Sequence, residues 1–452
     1  MKFNCKYNIK KGSSPYGRGG GEGDKNMGFA PAFRKGWTGI ISIALFIFSF
    51  SQSQNIHSQT LGNYLQIASE NNPELKSVYA EFEAALQRAP QMRSLPDPVL
   101  TVGAFGRMME TNMGQEKAKF SLMQMFPWFG TLEARENTST LIAEAKFQEF
   151  LDAKNELFFQ ISRQYYVLYE LEEKIKFNTK DFQILKNYKD LALSQVRAGS
   201  GSLTDVLKVE IKMNENENML KGLELQQKAT LAKFNLLLDR EETETVNISE
   251  EINMEFLEVK NWSDFNIAAH PKLLRMEKMI AVAESQKTEA RKNGLPTIGI
   301  GIEYMIVAEN KDFDMKNNGT DAFMPMASIS LPIFRKKHKA AQAEAEFMQE
   351  SYTQKKIAVQ NKLKAEFEDA IFRIENLKNQ IQLYTKQIES TQRILDLTLS
   401  YYQNAKAEFE EVLELRQELL AYELKITQAK STYLIANAEM NYITGKSFEN
   451  EN

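Results

Sequence analysis

The side chains that could do chemistry in this chain are few. It has three histidines, His57, His270 and His338, and one cysteine, Cys5. That inventory leaves no cysteine nucleophile and no Cys/His zinc cluster beyond the first residues. No G-x-S-x-G or comparable nucleophile motif is present, so no constellation supports an enzyme. What remains is carboxylates and thioethers. Glu411 and Glu414 stand three apart at the start of a helical stretch, which sets both on one face. Carboxylates held close raise one another's pKa and attract cations. The plainer account is a solvated first turn, where the helix dipole favours acids. Methionines gather in two groups, Met108, Met109, Met113, Met123 and Met125, then Met305, Met315, Met324 and Met326. Thioethers are soft ligands suited to Cu(I) or Ag(I); they are also flexible apolar filler. Filler is the reading adopted here, and neither a metal site nor a cofactor is expected.

The elements that hold these groups are mostly helical. Helix formers dominate, with 22 Gly and 11 Pro in 452 residues. The formal net charge of −4 gives no electrostatic footprint for nucleic acid. Residues 1–58 read as an N-terminal extension and secretory signal. Arg34 and Lys35 precede an apolar run at 40–50, and small and polar residues follow. That run is shorter than the roughly 20 residues of a membrane-spanning helix. Cys5 lies ahead of it, so the exported chain is expected to have no thiol, disulfide or lipidated cysteine.

The chain repeats itself at an offset of about 200 residues. Asn72-Pro73-Glu74-Leu75 returns as His270-Pro271-Lys272-Leu273, and Leu95-Pro96 as Leu295-Pro296. Phe126-Pro127-Trp128-Phe129 returns as Leu331-Pro332-Ile333-Phe334. Leu203 to Leu207 returns as Phe409 to Leu413, which puts Asp205 at the place of Glu411. Asn235 to Arg240 returns as Asn441 to Lys446. The organisation is therefore a first repeat over 59–240, an acidic linker over 241–261, a second repeat over 262–446 and a tail over 447–452. The first repeat predicts a helix over 62–93, stopped by Pro96 and Pro98. Strands near 98–106 and 117–126 follow, then helices over 131–198 and 203–239. The second predicts helices over 264–293, 334–403 and 408–443 with strands near 297–306 and 322–331. Ile298, Ile300, Ile302 and Tyr304 alternate with Thr297, Gly299, Gly301 and Glu303, giving one bulky apolar face. That period fits a half-buried soluble hairpin or a barrel strand facing lipid. On the lipid reading Gly301→Ser should be milder than Ile300→Arg. Phe126, Trp128 and Phe129 suit an interfacial belt or a buried junction.

Helices of about 68 residues reach roughly 100 Å and must bury a seam. Ile374, Ile381, Ile388, Leu395 and Tyr402 recur every seven residues, as do Ile161, Leu168, Ile175 and Phe182. Four strands cannot close a barrel, and open edges are not tolerated in lipid. Two chains would give eight strands with a filled interior; three would give twelve and an opening.

The ordered motifs resemble those of the outer membrane efflux proteins, the TolC family. They are the Asn-Pro-x-Leu start at 72–75, Leu-Pro-Asp-Pro at 95–98, Gln-x-Phe-Pro-x-Phe-Gly at 124–130, Gly-x-x-x-Leu-x-Asp-Val-Leu at 199–207, and the duplication. The resemblance covers about 61–446. It implies a mainly α fold with a small β part: long antiparallel coiled-coil helices and two hairpins. In a homotrimer these make a twelve-stranded barrel in outer-membrane lipid and an α-helical tunnel in the periplasm. It implies a passive duct serving a periplasmic adaptor (membrane fusion) protein and an inner-membrane pump, and no enzyme. It places Glu411, Glu414 and Asp205 at the periplasmic aperture and Gly199, Ser200 and Ala405 at the adaptor-facing tips. Ile298, Ile300, Ile302 and Tyr304 then face lipid. Ala405 stands where the first repeat has Gly199, so the second tip departs from the pattern. The competing reading is a periplasmic coiled-coil adaptor or scaffold without a pore.

Overall fold

A computed structural model describes residues 61–106, 110–111, 114–248, 256, 262–265, 267–310, 316–404 and 406–446. The leader expected over 1–58, most of the linker beyond 248, the tail, Ala405, Met108, Met109, Met113 and Met315 lie outside the described residues. The first half runs α1 (Leu61–Asn71), α2 (Pro73–Arg93), β1 (Val99–Ala104), β2 (Glu110–Thr111), β3 (Gly114–Pro127), α3 (Thr131–Arg197) and α4 (Leu203–Leu237). The second runs α5 (Pro271–Lys292), β4 (Thr297–Ala308), β5 (Ala322–Ser330), α6 (Arg335–Gln403) and α7 (Phe409–Thr444). Two short 3-10 turns, Trp262–Asp264 and Ile267–Ala269, precede α5.

The helix predicted over 62–93 is two helices. Pro73 opens α2 at a position where its missing N–H is no loss. Asn72 turns the chain and caps α2, its Oδ1 accepting from Leu75 N at 2.9 Å. The same break divides the predicted 264–293 helix: Pro271 opens α5, and His270 Nδ1 accepts from Lys272 N at 3.1 Å.

Helices α3 and α6 have 67 and 69 residues. Along α6 the seam is as predicted, with Ile374, Ile381, Leu395 and Tyr402 buried and Ile388 packed beside them. Along α3 it moves. Ile161 and Leu168 are buried, but Ile175 and Phe182 are only half-buried. Leu171, Asn178, Leu185 and Ala192 carry the heptad onward instead. The reason is a change of partner. Near Ile161 the helix packs under α1 and α4, against Tyr64 and Phe234. Near Leu185 it packs on α4, α6 and α7, against Val206, Leu395 and Val412.

The two predicted hairpins are zipped into one antiparallel sheet. β3 pairs with β4, giving the order β1-β3-β4-β5, and the two-residue β2 adds to β3. Phe120 lies opposite Tyr304, Leu122 opposite Ile302, and Phe126 opposite Ile298. β1 continues these rows through Val102 and Leu100, and β5 through Phe323 and Ile329. No helix among the described residues is long and apolar enough to cross a membrane.

Candidate functional site

The register sorts the sheet into two faces of opposite character. One carries Leu100, Val102, Phe120, Leu122, Ile298, Ile300, Ile302, Tyr304, Phe323 and Ile329. These large apolar side chains are mostly exposed; Ile300 is 59 % accessible and Ile298 is half-buried. The other face carries Gly299, Gly301 and Glu303, all buried. Glu303 meets Lys119 at 2.5 Å. A sheet in water puts its apolar face inward, so this one is inside out. A contiguous exposed apolar surface of this kind marks contact with lipid or a partner. At its helical end Trp128, Phe129, Ile333 and Phe334 are also exposed in the single chain.

Gly301→Ser meets a close approach that the alternation does not show. A Cβ at Gly301 would lie 2.6 Å from the carbonyl oxygen of Leu122, which is backbone and cannot yield. The alternation identified the faces but not this close approach of β3 to β4.

At the far end of the helices, the first tip is a tight reversal. Gly199 adopts φ +76°, and the amides of Ser200 and Gly201 both donate to Gln195 O at 3.0 Å. A Cβ on Gly201 would lie 2.8 Å from Gln195 Cβ, so Gly201 matters as much as Gly199. Ser202 caps α4, its Oγ accepting from Thr204 N at 3.1 Å. In the second tip Lys406 N donates to Tyr401 O at 2.9 Å, and Phe409 packs against Tyr402 at a tilt, with ring centroids 4.9 Å apart.

Glu411 and Glu414 are exposed on the first turns of α7, and Asp205 is half-buried on the first turn of α4. The structure adds a residue that the sequence reading passed over. Lys208 Nζ donates to Glu410 Oε2 at 2.8 Å, tying α4 to α7. Glu410 foremost, then Asp205 and Glu414, holds the Lys208 ammonium above the usual lysine range.

A second missed group lies behind this surface. Arg416 Nε donates to Asp181 Oδ1 at 2.7 Å, and Asn216 Nδ2 donates to Asp181 Oδ2 at 2.9 Å. Glu423 Oε2 lies 3.6 Å from Arg416 Nη2. Asp181, Asn216 and Arg416 are all buried, and together they join α3, α4 and α7. Burial pushes the Glu423 carboxyl up, against the pull of Arg416. The only sequence signal was polar residues at heptad positions of otherwise apolar helices.

These features, a sheet with an outward apolar face on helices of nearly 70 residues, match known channels. The family model for outer membrane efflux proteins fits residues 64–238 and 265–446. The chain belongs to the outer membrane efflux protein family. No curated protein sequence matches this efflux protein, but solved structures do. It is similar to CusC, a protein that forms a transmembrane channel, at 16% identity and TM-score 0.73, covering 88% of this chain and 96% of that one. It is similar to the outer membrane protein VceC from Vibrio cholerae at 16% identity and TM-score 0.70, covering 86% and 97%. It is also similar to the open state of the MtrE outer membrane channel from Neisseria gonorrhoeae, at 16% identity and TM-score 0.68, covering 85% and 88%. The efflux protein is therefore an outer-membrane channel with a helical extension into the periplasm. The pore-less adaptor reading falls with that membership and with the outward apolar sheet.

Proposed function

We propose that three copies of this efflux protein close one channel. Each gives four long strands to a twelve-stranded barrel, and the helices form a continuous periplasmic tunnel. The observation that carries this is the sheet. Its apolar face is outward, and among the described residues β1 and β5 are the edges of the sheet. In lipid those edges need partners, because an unpaired backbone group there costs several kcal/mol. A second copy's β5 against β1, repeated around a threefold axis, supplies them all. Two copies would close eight strands around a filled interior; twelve leave a passage.

On this reading Ile298, Ile300, Ile302 and Tyr304 face lipid. Glu411, Glu414 and Asp205 line the periplasmic aperture, with Lys208 tempering their charge. Gly199, Ser200 and Ala405 meet a periplasmic adaptor protein fed by an inner-membrane pump. The division into repeats at 59–240 and 262–446 follows the duplicated element order. A wide aqueous duct does not need to recognise its cargo, so the pump sets specificity.

Native mass spectrometry and chemical crosslinking of detergent-extracted protein test the assembly. Three copies per particle is the expected result. A stable monomer inserted in lipid would overturn it.

A further inference from the structure

All five methionines in the described strands point to one side of the sheet. Met123 and Met125 in β3, Met305 in β4, and Met324 and Met326 in β5 fall on the face of Gly299, Gly301 and Glu303. None falls on the apolar face. Against lipid a methionine serves as well as leucine, so apolar character alone does not account for all five falling on the opposite face.

The two buried glycines show what the methionines are doing there. Glycine weakens a strand interior and marks a place where something approaches closely. Over Gly299 the approaching groups are sulfur and hydroxyl. The position of a Cβ on Gly299 lies 2.8 Å from Met125 Sδ and 3.1 Å from Met123 Sδ, and it would collide with Ser328 Oγ. Ser328 Oγ is itself 3.9 Å from Met123 Sδ. Over Gly301 the nearest side-chain atom is again Met123 Sδ, at 3.0 Å, and Met326 is the next residue across in that row. The strand has given up two side chains, and sulfur occupies the space.

We propose that Met123 and Met125, joined by Met326, form a thioether site for a soft monovalent cation, Cu(I) or Ag(I), on the lumen wall of the barrel. The proposal rests on the channel reading, which makes this face the lumen. The chemistry matches in three respects. Thioether sulfur selects Cu(I) and its congener over hard and borderline ions. Two sulfurs around one point can share an ion after small rotamer shifts. The one carboxylate beside them on β4, Glu303, is already engaged by Lys119. Neutral sulfur ligands hold such an ion weakly enough to release it, as a conducting wall requires.

The test uses the full chain with Cys5→Ser, so that no thiolate contributes. Ag(I) is titrated by calorimetry, and Cu(I) is followed by X-ray absorption. Saturable Ag(I) binding and a sulfur shell around Cu(I) are expected, with Zn(II) failing to compete. Met123→Leu with Met125→Leu, close in volume, should weaken Ag(I) binding by about tenfold or more while leaving bilayer conductance unchanged. A conducting protein that binds no Ag(I), or whose double leucine variant binds it equally well, overturns the site alone. Loss of conductance in the unsubstituted protein would instead overturn the channel reading beneath it.

Discussion

Removing Arg416 should loosen the tip end of the helical bundle more than any surface change there. The reasoning turns on burial rather than distance. Arg416 to Asp181 spans 2.7 Å and Lys208 to Glu410 spans 2.8 Å, so geometry alone would rank them equal. The Arg416 and Asp181 side chains are 4% and 5% exposed; those of Lys208 and Glu410 are 38% and 60% exposed. Breaking a buried pair strands a charge, at a cost of about 3–5 kcal/mol. Arg416→Met would strand Asp181 beside Asn216 and would also take Arg416 away from Glu423. The exposed pair is screened by water and contributes little. Hydrogen–deuterium exchange reads the difference locally. A loss of about 3 kcal/mol speeds exchange through local opening by about a hundredfold, at 1.4 kcal/mol per factor of ten. That acceleration should appear in peptides around 178–192, 206–220 and 409–423, the segments of α3, α4 and α7 that the network joins. Glu410→Gln should leave the same peptides near their original protection. If Arg416→Met exchanges like the parent, the buried network does not hold the three helices together.

Three further outcomes follow from the same structure. Ile300→Arg, on the outward face, should cost about 2–4 kcal/mol near the bilayer midplane. Ser121→Arg, opposite Glu303 on the inner face, should be tolerated; equal loss of heat-modifiable barrel in both would refute the lipid face. His270 is held neutral by burial first and Lys272 second, with its pKa down at about 4 against an ordinary 6.5. The native state therefore binds fewer protons than the unfolded one, so stability is full above pH 6.5 and falls by roughly 3 kcal/mol as pH drops toward 4. Glu423, shifted up, works in the other direction, so the measurement is the difference between the parent and His270→Asn in thermal unfolding at pH 7.5 and 4.5. Asparagine is what the first repeat has at this cap, Asn72, and it should flatten the loss; an unchanged pH profile would clear His270. Glu411→Gln with Glu414→Gln should keep the fold and lower cation selectivity and divalent block in planar bilayers. Parent-like selectivity would take Glu411 and Glu414 out of the aperture and leave Asp205 as its acid.

What the sequence made legible was whatever repeats at short range. The duplicated landmarks, the Pro-bounded strands and the seven-residue spacing along α6 all have local causes, and the described elements follow them within a few residues. The break at Asn72-Pro73 was also written locally, since Pro73 needs a capped first turn, but the apolar pattern running through it concealed it. The seam shift along α3 was not written locally. It depends on which helices lie alongside, and Leu171, Asn178 and Leu185 make a heptad only once α4, α6 and α7 are in place. The Asp181–Arg416 pair joins residues 235 apart. No spacing rule reaches that far.

The sheet shows most clearly where local pattern stops informing function. Alternation in β4 is equally a soluble hairpin and a barrel strand, because period two states that two faces differ and not which one meets water. Exposure decides that, and it requires the β3–β4 pairing that joins the two repeats. The methionines depend on the pairing more strongly still. The register slips between Glu116 and Ala118, so Gln115 lies opposite Ala308 while Ala118 lies opposite Ile306. Counting alternate residues through that bulge from the hairpin end would put Met123 and Met125 on the exposed apolar face, beside Ile300. The bulge inserts one residue and reverses the assignment. A cluster that reads as filler in the sequence becomes a row of sulfurs over two glycines because of that one extra residue.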